Sequence, residues 1–356
     1  MPRKAIALLA GALAALLLAE TLLHLLDVPP TRPFFQEFTA PDRSFKLMCY
    51  DSNPSGALDV DLRDPGRRGR YPERFPDREF DLHWMDTPWA VEVSYNSQGF
   101  RERELTAPAP GVLRIVVVGD SFTYGHGLPE RLCYPRQLET ILRTRPGRAV
   151  EVLNCGSGGD DLDRIGPRAA RLLEELRPDV LVYGYFLNDP IRDPGPEGVH
   201  AMLDVGWLRA ESSGCRFSLG AWPRAGVRTF QLVGFLAEKA RVTRSTLDWY
   251  RALHEPRSWS RTADALVDLD RRCRGQGCRF LLAVLPIIWR LDGAYPLGGV
   301  HDGIASRARA HGLEVLDGLD ALRGRRDAEL FLHPRDRHPN ATYARLVAEA
   351  LARVIP

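Results

Sequence analysis

The stretch Leu113-Arg114-Ile115-Val116-Val117-Val118-Gly119-Asp120-Ser121-Phe122-Thr123 decides the fold. Its first six residues are rich in β-branched side chains and stop at a glycine, the pattern of a short buried strand. Outward from it, residues 134–142 place Leu138, Ile141 and Leu142 at helical spacing, and residues 149–153 read as a second strand ending at Asn154. Residues 169–176 are helical in pattern and stop near Pro178; residues 179–185 form a third strand before Asn188-Asp189. Farther on, Arg279–Leu285 and residues 313–316 read as strands and Ala341–Val354 as a terminal helix. Strands alternating with helical segments imply an α/β domain over residues 111–356, three-layered α/β/α with a central parallel sheet.

Residues 190–260 exceed what this alternation needs. They carry Trp207, Phe217, Trp222, Phe230 and Phe235, which suit an extra helical layer or a lid. Residues 29–110 are rich in Pro, Asp and Arg and poor in apolar periodicity, so they read as a linker and irregular layer packed on the main domain. Within them, Arg63, Arg67, Arg68, Arg70 and Arg74 form a basic group that suits a solvated loop or an anionic surface.

At the N-terminus, Arg3-Lys4 precede an apolar run from Ala5 to Leu18 that continues, diluted by Glu20, Thr21, His24 and Asp27, to Val28. A membrane-spanning helix needs about 20 residues. The small-residue cleavage pattern Ala12-Leu13-Ala14 lies inside the run, which favours an uncleaved signal anchor over residues 1–28 rather than a removed signal peptide. The basic lead would keep the N-terminus cytoplasmic and the remainder outside.

A formal net charge of +2 over 356 residues, without a basic stripe, argues against a nucleic-acid partner. Of six cysteines, Cys273 and Cys278 flank Arg-Gly-Gln-Gly, a turn able to close a small disulfide, while Cys49, Cys133, Cys155 and Cys215 leave their pairing open. No zinc-ligand spacing occurs, so no metal is expected.

Polar motifs follow the strands: Gly119-Asp120-Ser121, Asn154-Cys155-Gly156-Ser157-Gly158-Gly159, and Asn188-Asp189. A fourth, Asp336-Arg337-His338-Pro339-Asn340, precedes the last helix. In an open parallel sheet the crevice beyond the strand ends is where ligands bind. A serine becomes a nucleophile when a histidine takes its proton. An acid such as Asp336 would hold that histidine's tautomer. Glycine-loop N–H groups and a side-chain amide would receive the oxyanion. Each motif alone suits a cap or a turn, and the Gly-rich loop lacks the spacing and lysine of a phosphate cradle. Their order along the chain is what points to acyl transfer.

This set resembles the SGNH (GDSL) hydrolase superfamily from about Val112 to the C-terminus, whose fold is flavodoxin-like. Asn96-Ser97-Gln98-Gly99-Phe100-Arg101 leading to Gly119-Asp120-Ser121-Phe122-Thr123-Tyr124-Gly125 is similar to its membrane-anchored bacterial branch. The resemblance implies Ser121 as nucleophile and oxyanion donor, Gly159 and Asn188 as further oxyanion donors, His338 as general base, and Asp120 as a structural residue. Many members place the acid three residues before the histidine; Arg335 stands there here, and Asp336 lies two before. His126, His333 and the His301-Asp302 pair are rival polar groups that read as structural or solvent-exposed.

The expected activity is a serine esterase acting outside the cytoplasm on a small-molecule or glycan ester, without a cofactor. One alternative is O-acyl transfer to a polysaccharide by the same residues. The other is a carbohydrate-binding protein that kept the fold and lost catalysis.

Overall fold

The computed structural model describes residues 2–28, 34–76, 80, 82, 83, 85, 88–190 and 227–356. Trp207, Phe217, Trp222 and Cys215 lie outside the described residues, and with them most of the segment expected as a lid or layer. The chain divides into two compact units, Met1–Pro33 with Gly198–Asp248, and Phe34–Glu197 with Trp249–Pro356.

The first unit contains α1 (Pro2–Leu25), whose stretch Arg3–Leu25 is long and apolar enough to cross a membrane. Its leucines at positions 8, 9, 13, 16, 17 and 18 are all more than half exposed.

The second unit opens with an antiparallel sheet that the sequence reading did not anticipate. Strands β1 (Phe35–Thr39), β2 (Phe45–Tyr50) and β3 (Val60–Asp61), the short helix α2 (Pro65–Arg68), and β4 (Trp89–Ser94) give the sheet order β1-β2-β4-β3. The stretch is therefore not an irregular layer. It has an apolar core of its own, built from Phe38, Phe45, Leu47, Tyr71 and Phe75. Strands of two to six residues separated by Pro- and Arg-rich loops are too short to leave sustained periodicity in the sequence.

The main sheet follows. Its first half is β5 (Val112–Gly119), α3 (Ser121–Tyr124), α4 (Tyr134–Arg143), β6 (Ala149–Asn154), α5 (Leu162–Leu176) and β7 (Val180–Phe186). After α6 (Arg228–Leu253) and α7 (Pro256–Gly275) come β8 (Arg279–Leu285), α8 (Gly298–Ala310), β9 (Val315–Asp317) and α9 (Leu319–Leu322). The chain ends in β10 (Phe331–His333), β11 (Asp336–Pro339) and α10 (Ala341–Val354).

The five parallel strands are ordered β6-β5-β7-β8-β9. Numbered along the sheet's own strands this is 2-1-3-4-5, the flavodoxin-like doubly wound order. Right-handed crossovers put α4 and α10, which pack on each other, on one face and α5 and α7 on the other. The domain is thus the three-layer α/β/α fold expected. Strand β5 is buried from Leu113 to Gly119, as a central strand covered on both faces must be.

Two boundaries differ from the sequence reading by more than one residue. Helix α5 starts at Leu162 and contains Pro167, a residue type that usually ends or kinks a helix. The last strand of the parallel sheet starts at Val315 rather than two residues earlier.

In the first unit, the Glu20 carboxylate accepts the N–H groups of Arg228 and Thr229 at 2.5 and 2.8 Å, capping the start of α6. Among the described residues Cys49, Cys133, Cys155, Cys273 and Cys278 are all free thiols. Cys273 and Cys278 thus form no disulfide, and the Cys278 thiol donates to Arg279 O at 3.5 Å.

Candidate active site

The site grows from the end of β5. Gly119 pairs across the sheet with Gly184 of β7. A Cβ on either would overlap the Thr123 hydroxyl, and one on Gly184 would also overlap that of Tyr134. The two glycines leave a slot in which Thr123 Oγ1 and Tyr134 OH hydrogen-bond at 2.8 Å, so the chain can turn sharply from strand into α3. Asp120 is the N-cap, its carboxylate accepting the Phe122 N–H at 2.9 Å. Ser121 is therefore presented on the first turn, just past the strand end.

Around Ser121 the structure brings together residues far apart in sequence. His338 Nε2 lies 3.0 Å from Ser121 Oγ, and His338 Nδ1 lies 2.5 Å from Asp336 Oδ1. An ionised carboxylate only accepts, so Nδ1 carries the proton and Nε2 is left to accept from the serine hydroxyl. Asp336 Oδ1 also accepts the His338 backbone N–H at 3.1 Å. Burial opposes charge on both side chains, but each outweighs that effect in the other. Asp336 is held well below the usual carboxylate range, and His338 is raised above the ordinary histidine value.

Beneath the serine lie two buried acids. Burial pushes Asp120 up to about 6. Asp189 goes well above the usual range, by burial and by the nearby Asp120 charge. Asp189 accepts from Tyr183 OH at 2.8 Å and from the Phe186 N–H at 3.1 Å, which closes the turn after β7 and sets Asn188 at that strand's end.

The glycine loop after β6 also reaches the site. A Cβ built on Gly158 would stand 4.0 Å from that of Ser121, whereas one on Gly159 would meet nothing within 4 Å. Gly159 is exposed, with φ +80°. The loop's origin is fastened by Glu102, whose carboxylate accepts the Asn154 N–H at 2.7 Å. Next to it Arg101, fully buried, donates to Gly125 O at 2.8 Å and to Leu128 O, and lies over the Tyr124 ring. The pair Arg101-Glu102 thus ties down the loops on both sides of Ser121.

Two neighbours were missed from the sequence. Tyr50, at the end of β2, donates its hydroxyl to Asp336 Oδ2 at 3.1 Å. His126, read as structural or solvent-exposed, lies against His338 with ring centroids 4.2 Å apart at a 30° tilt and sets Nε2 3.7 Å from Asp336 Oδ2. Burial and the nearby His338 charge lower His126 to about 3, so it is a neutral ring at ordinary pH. The only cue to His126 was its position five residues after Ser121; nothing local marked Tyr50.

The other rival histidines stand elsewhere. His333 Nε2 pairs with Asp51 at 2.9 Å. His301 Nδ1 pairs with Asp317, not Asp302, at 2.8 Å. Ligand atoms of His126, Asp336 and His338 lie within 4.8 Å of one another and could hold a metal ion. His338 already directs both nitrogens at Ser121 and Asp336, so chelation there would remove the base from the serine.

No protein-family model matches the chain, and no curated protein matches it in sequence. Among solved structures it is similar to a lipolytic protein of the G-D-S-L family from Desulfitobacterium hafniense DCB-2, at 16% identity over 68% of this chain and 99% of that one (TM-score 0.40). It is also similar to a catalytic mutant of an acetylxylan esterase from Geobacillus stearothermophilus, at 15% identity over 67% and 92% (TM-score 0.40). A G-D-S-L family member from Veillonella parvula DSM 2008 is 14% identical over 68% and 97% (TM-score 0.38). These are likenesses at low identity; the fold assignment stands on the strand order β6-β5-β7-β8-β9 of this chain.

Proposed function

We propose that this protein is a serine esterase that cleaves a carboxylic ester through an acyl-enzyme on Ser121. The observation that carries the reading is the continuous relay Ser121 Oγ, His338, Asp336, with contacts of 3.0 and 2.5 Å. His338 Nε2 takes the serine proton as Oγ attacks the ester carbonyl, and Asp336 stabilises the imidazolium that results. The imidazolium then protonates the leaving alkoxide. Water, deprotonated by the same nitrogen, attacks the acyl-enzyme, and the imidazolium returns that proton to Ser121 Oγ as the ester bond breaks and the acid leaves. The Ser121 and Gly159 N–H groups and the Asn188 side-chain amide are assigned to the oxyanion, each such donor being worth about 3 kcal/mol.

We assign α1 as an uncleaved signal anchor, so that the catalytic unit stands outside the cytoplasmic membrane. Its length and apolar surface support this. Residues 29–110 are assigned as an extension of the catalytic domain rather than a separate module.

The test is turnover of short p-nitrophenyl esters by the full chain in detergent, beside Ser121→Ala, together with labelling by a fluorophosphonate probe. Turnover that vanishes in the variant, with label on Ser121, supports the reading. A wild type that neither turns over nor is labelled would overturn it. Released acid, measured against acylated glycan when a polysaccharide is added, separates hydrolysis from acyl transfer.

A further inference from the structure

We infer that Tyr50 is a positioning residue of the active site, fixing the Asp336 carboxylate so that its other oxygen stays on His338. The N-terminal sheet is by this reading part of the catalytic apparatus. The inference rests on the esterase reading above.

The two oxygens of Asp336 are divided between two tasks. Oδ1 faces His338, through Nδ1 at 2.5 Å and the backbone N–H at 3.1 Å. Oδ2 faces away and is held by Tyr50 OH at 3.1 Å, with His126 Nε2 standing 3.7 Å off. Asp336 sits on β11, half of a two-stranded ribbon outside the main sheet. Such a ribbon is only marginally rigid by itself, and a carboxylate free to rotate about its last bond would swing Oδ1 away from the imidazole.

Tyr50 is suited to prevent this. It is fully buried at the end of β2, which is paired on both edges by β1 and β4. The Phe35 ring lies 4.9 Å from that of Tyr50 and 5.3 Å from that of His126, closing the pocket from the same sheet. The opposite wall is made to receive the tyrosine. Gly127 has φ +70°, and a Cβ there would collide with the Tyr50 hydroxyl and with Leu332. A buried hydroxyl needs a partner, and here that partner is the acid of the relay.

The test compares Tyr50→Phe with Glu37→Gln in the full chain in detergent. Glu37 pairs with Lys46 on the same sheet at 3.2 Å and hydrogen-bonds to none of Ser121, Asp336 and His338. Two readouts are taken: steady-state rates on p-nitrophenyl acetate, and the far-downfield proton resonance of the short His338–Asp336 hydrogen bond. Asp336→Asn assigns that resonance by abolishing it.

The expected result for Tyr50→Phe is about a tenfold loss of kcat, equivalent to ~1.4 kcal/mol, with KM held within about twofold. The resonance is expected to shift or broaden, and Glu37→Gln to leave both readouts at wild-type values. Overturning results are a Tyr50→Phe protein with an unmoved resonance, or losses in Glu37→Gln that match those of Tyr50→Phe. The resonance does not depend on turnover. An inactive wild type that still shows it would therefore defeat the esterase reading while leaving the Tyr50–Asp336 relation measurable.

Discussion

Asp336 and His338 are separated by one residue on β11, and the imidazole Nδ1–H donates back to Asp336 Oδ1 at 2.5 Å. Alternate residues of a strand project to the same side, so a two-residue spacing brings acid and base together when the segment is extended. The residue three before the histidine, Arg335, precedes the strand and projects elsewhere, its guanidinium lying over the Phe34 ring. The displaced acid is thus a consequence of presenting the pair on a strand.

On the proposed esterase reading, this pair sets the pH dependence of activity. Asp336 raises His338 above its ordinary 6.5, against the effect of burial. The base must be neutral, so activity is lost as pH falls through the raised value. The acid limb of kcat/KM is expected to have its midpoint above 6.5. A midpoint at or below 6.5 in the wild type, measured over pH 5 to 9 on p-nitrophenyl acetate, would show that Asp336 does not govern the base.

Asn188 lies just beyond β7, where Asp189 closes the turn. On the proposed assignment of Asn188 to the oxyanion, Asn188→Ala is expected to reduce kcat by about 10²- to 10³-fold with little change in KM. Steady-state kinetics checks this. A loss expressed mainly in KM would instead assign the amide to ground-state binding.

Asp120 gives a prediction about stability. Its folded pKa, about 6, is above the ordinary 3.8 because burial penalises its charge. The folded state therefore holds the proton more tightly than the unfolded chain, and stability is lost as pH rises from about 4 through about 6. Asp120→Asn keeps an acceptor for the Phe122 N–H and removes the charge. The variant is expected to melt a few degrees above wild type at pH 8, with the difference closing near pH 4. Thermal melts at both pH values decide it, and a lower Tm for the variant at pH 8 would contradict the account.

The sequence by itself determined the order of the main elements and with it the parallel sheet. It also determined the position of Ser121 at the end of the central strand. Those features are local: a β-branched run of Ile115 to Val118 must be buried, a glycine must follow where Thr123 needs room, and alternation of such runs with helical periodicity allows few topologies. The Ser121, Asp336 and His338 candidates were legible from the order of their motifs along the chain, each set at a strand end or before a helix.

Only the tertiary structure decided what surrounds them. Ser121 and His338 meet across 217 positions, and Tyr50 meets Asp336 across 286. No periodicity encodes such contacts, which arise when separately specified surfaces pack. The N-terminal sheet escaped notice because its strands are short and its apolar residues, such as Phe38 and Phe45, bury against one another within a polar, proline-rich stretch. His126 looked like any loop histidine until folding packed its ring against that of His338. Short-range pattern fixes which segments are strands and where a reactive group is carried; long-range packing chooses the partners that orient it.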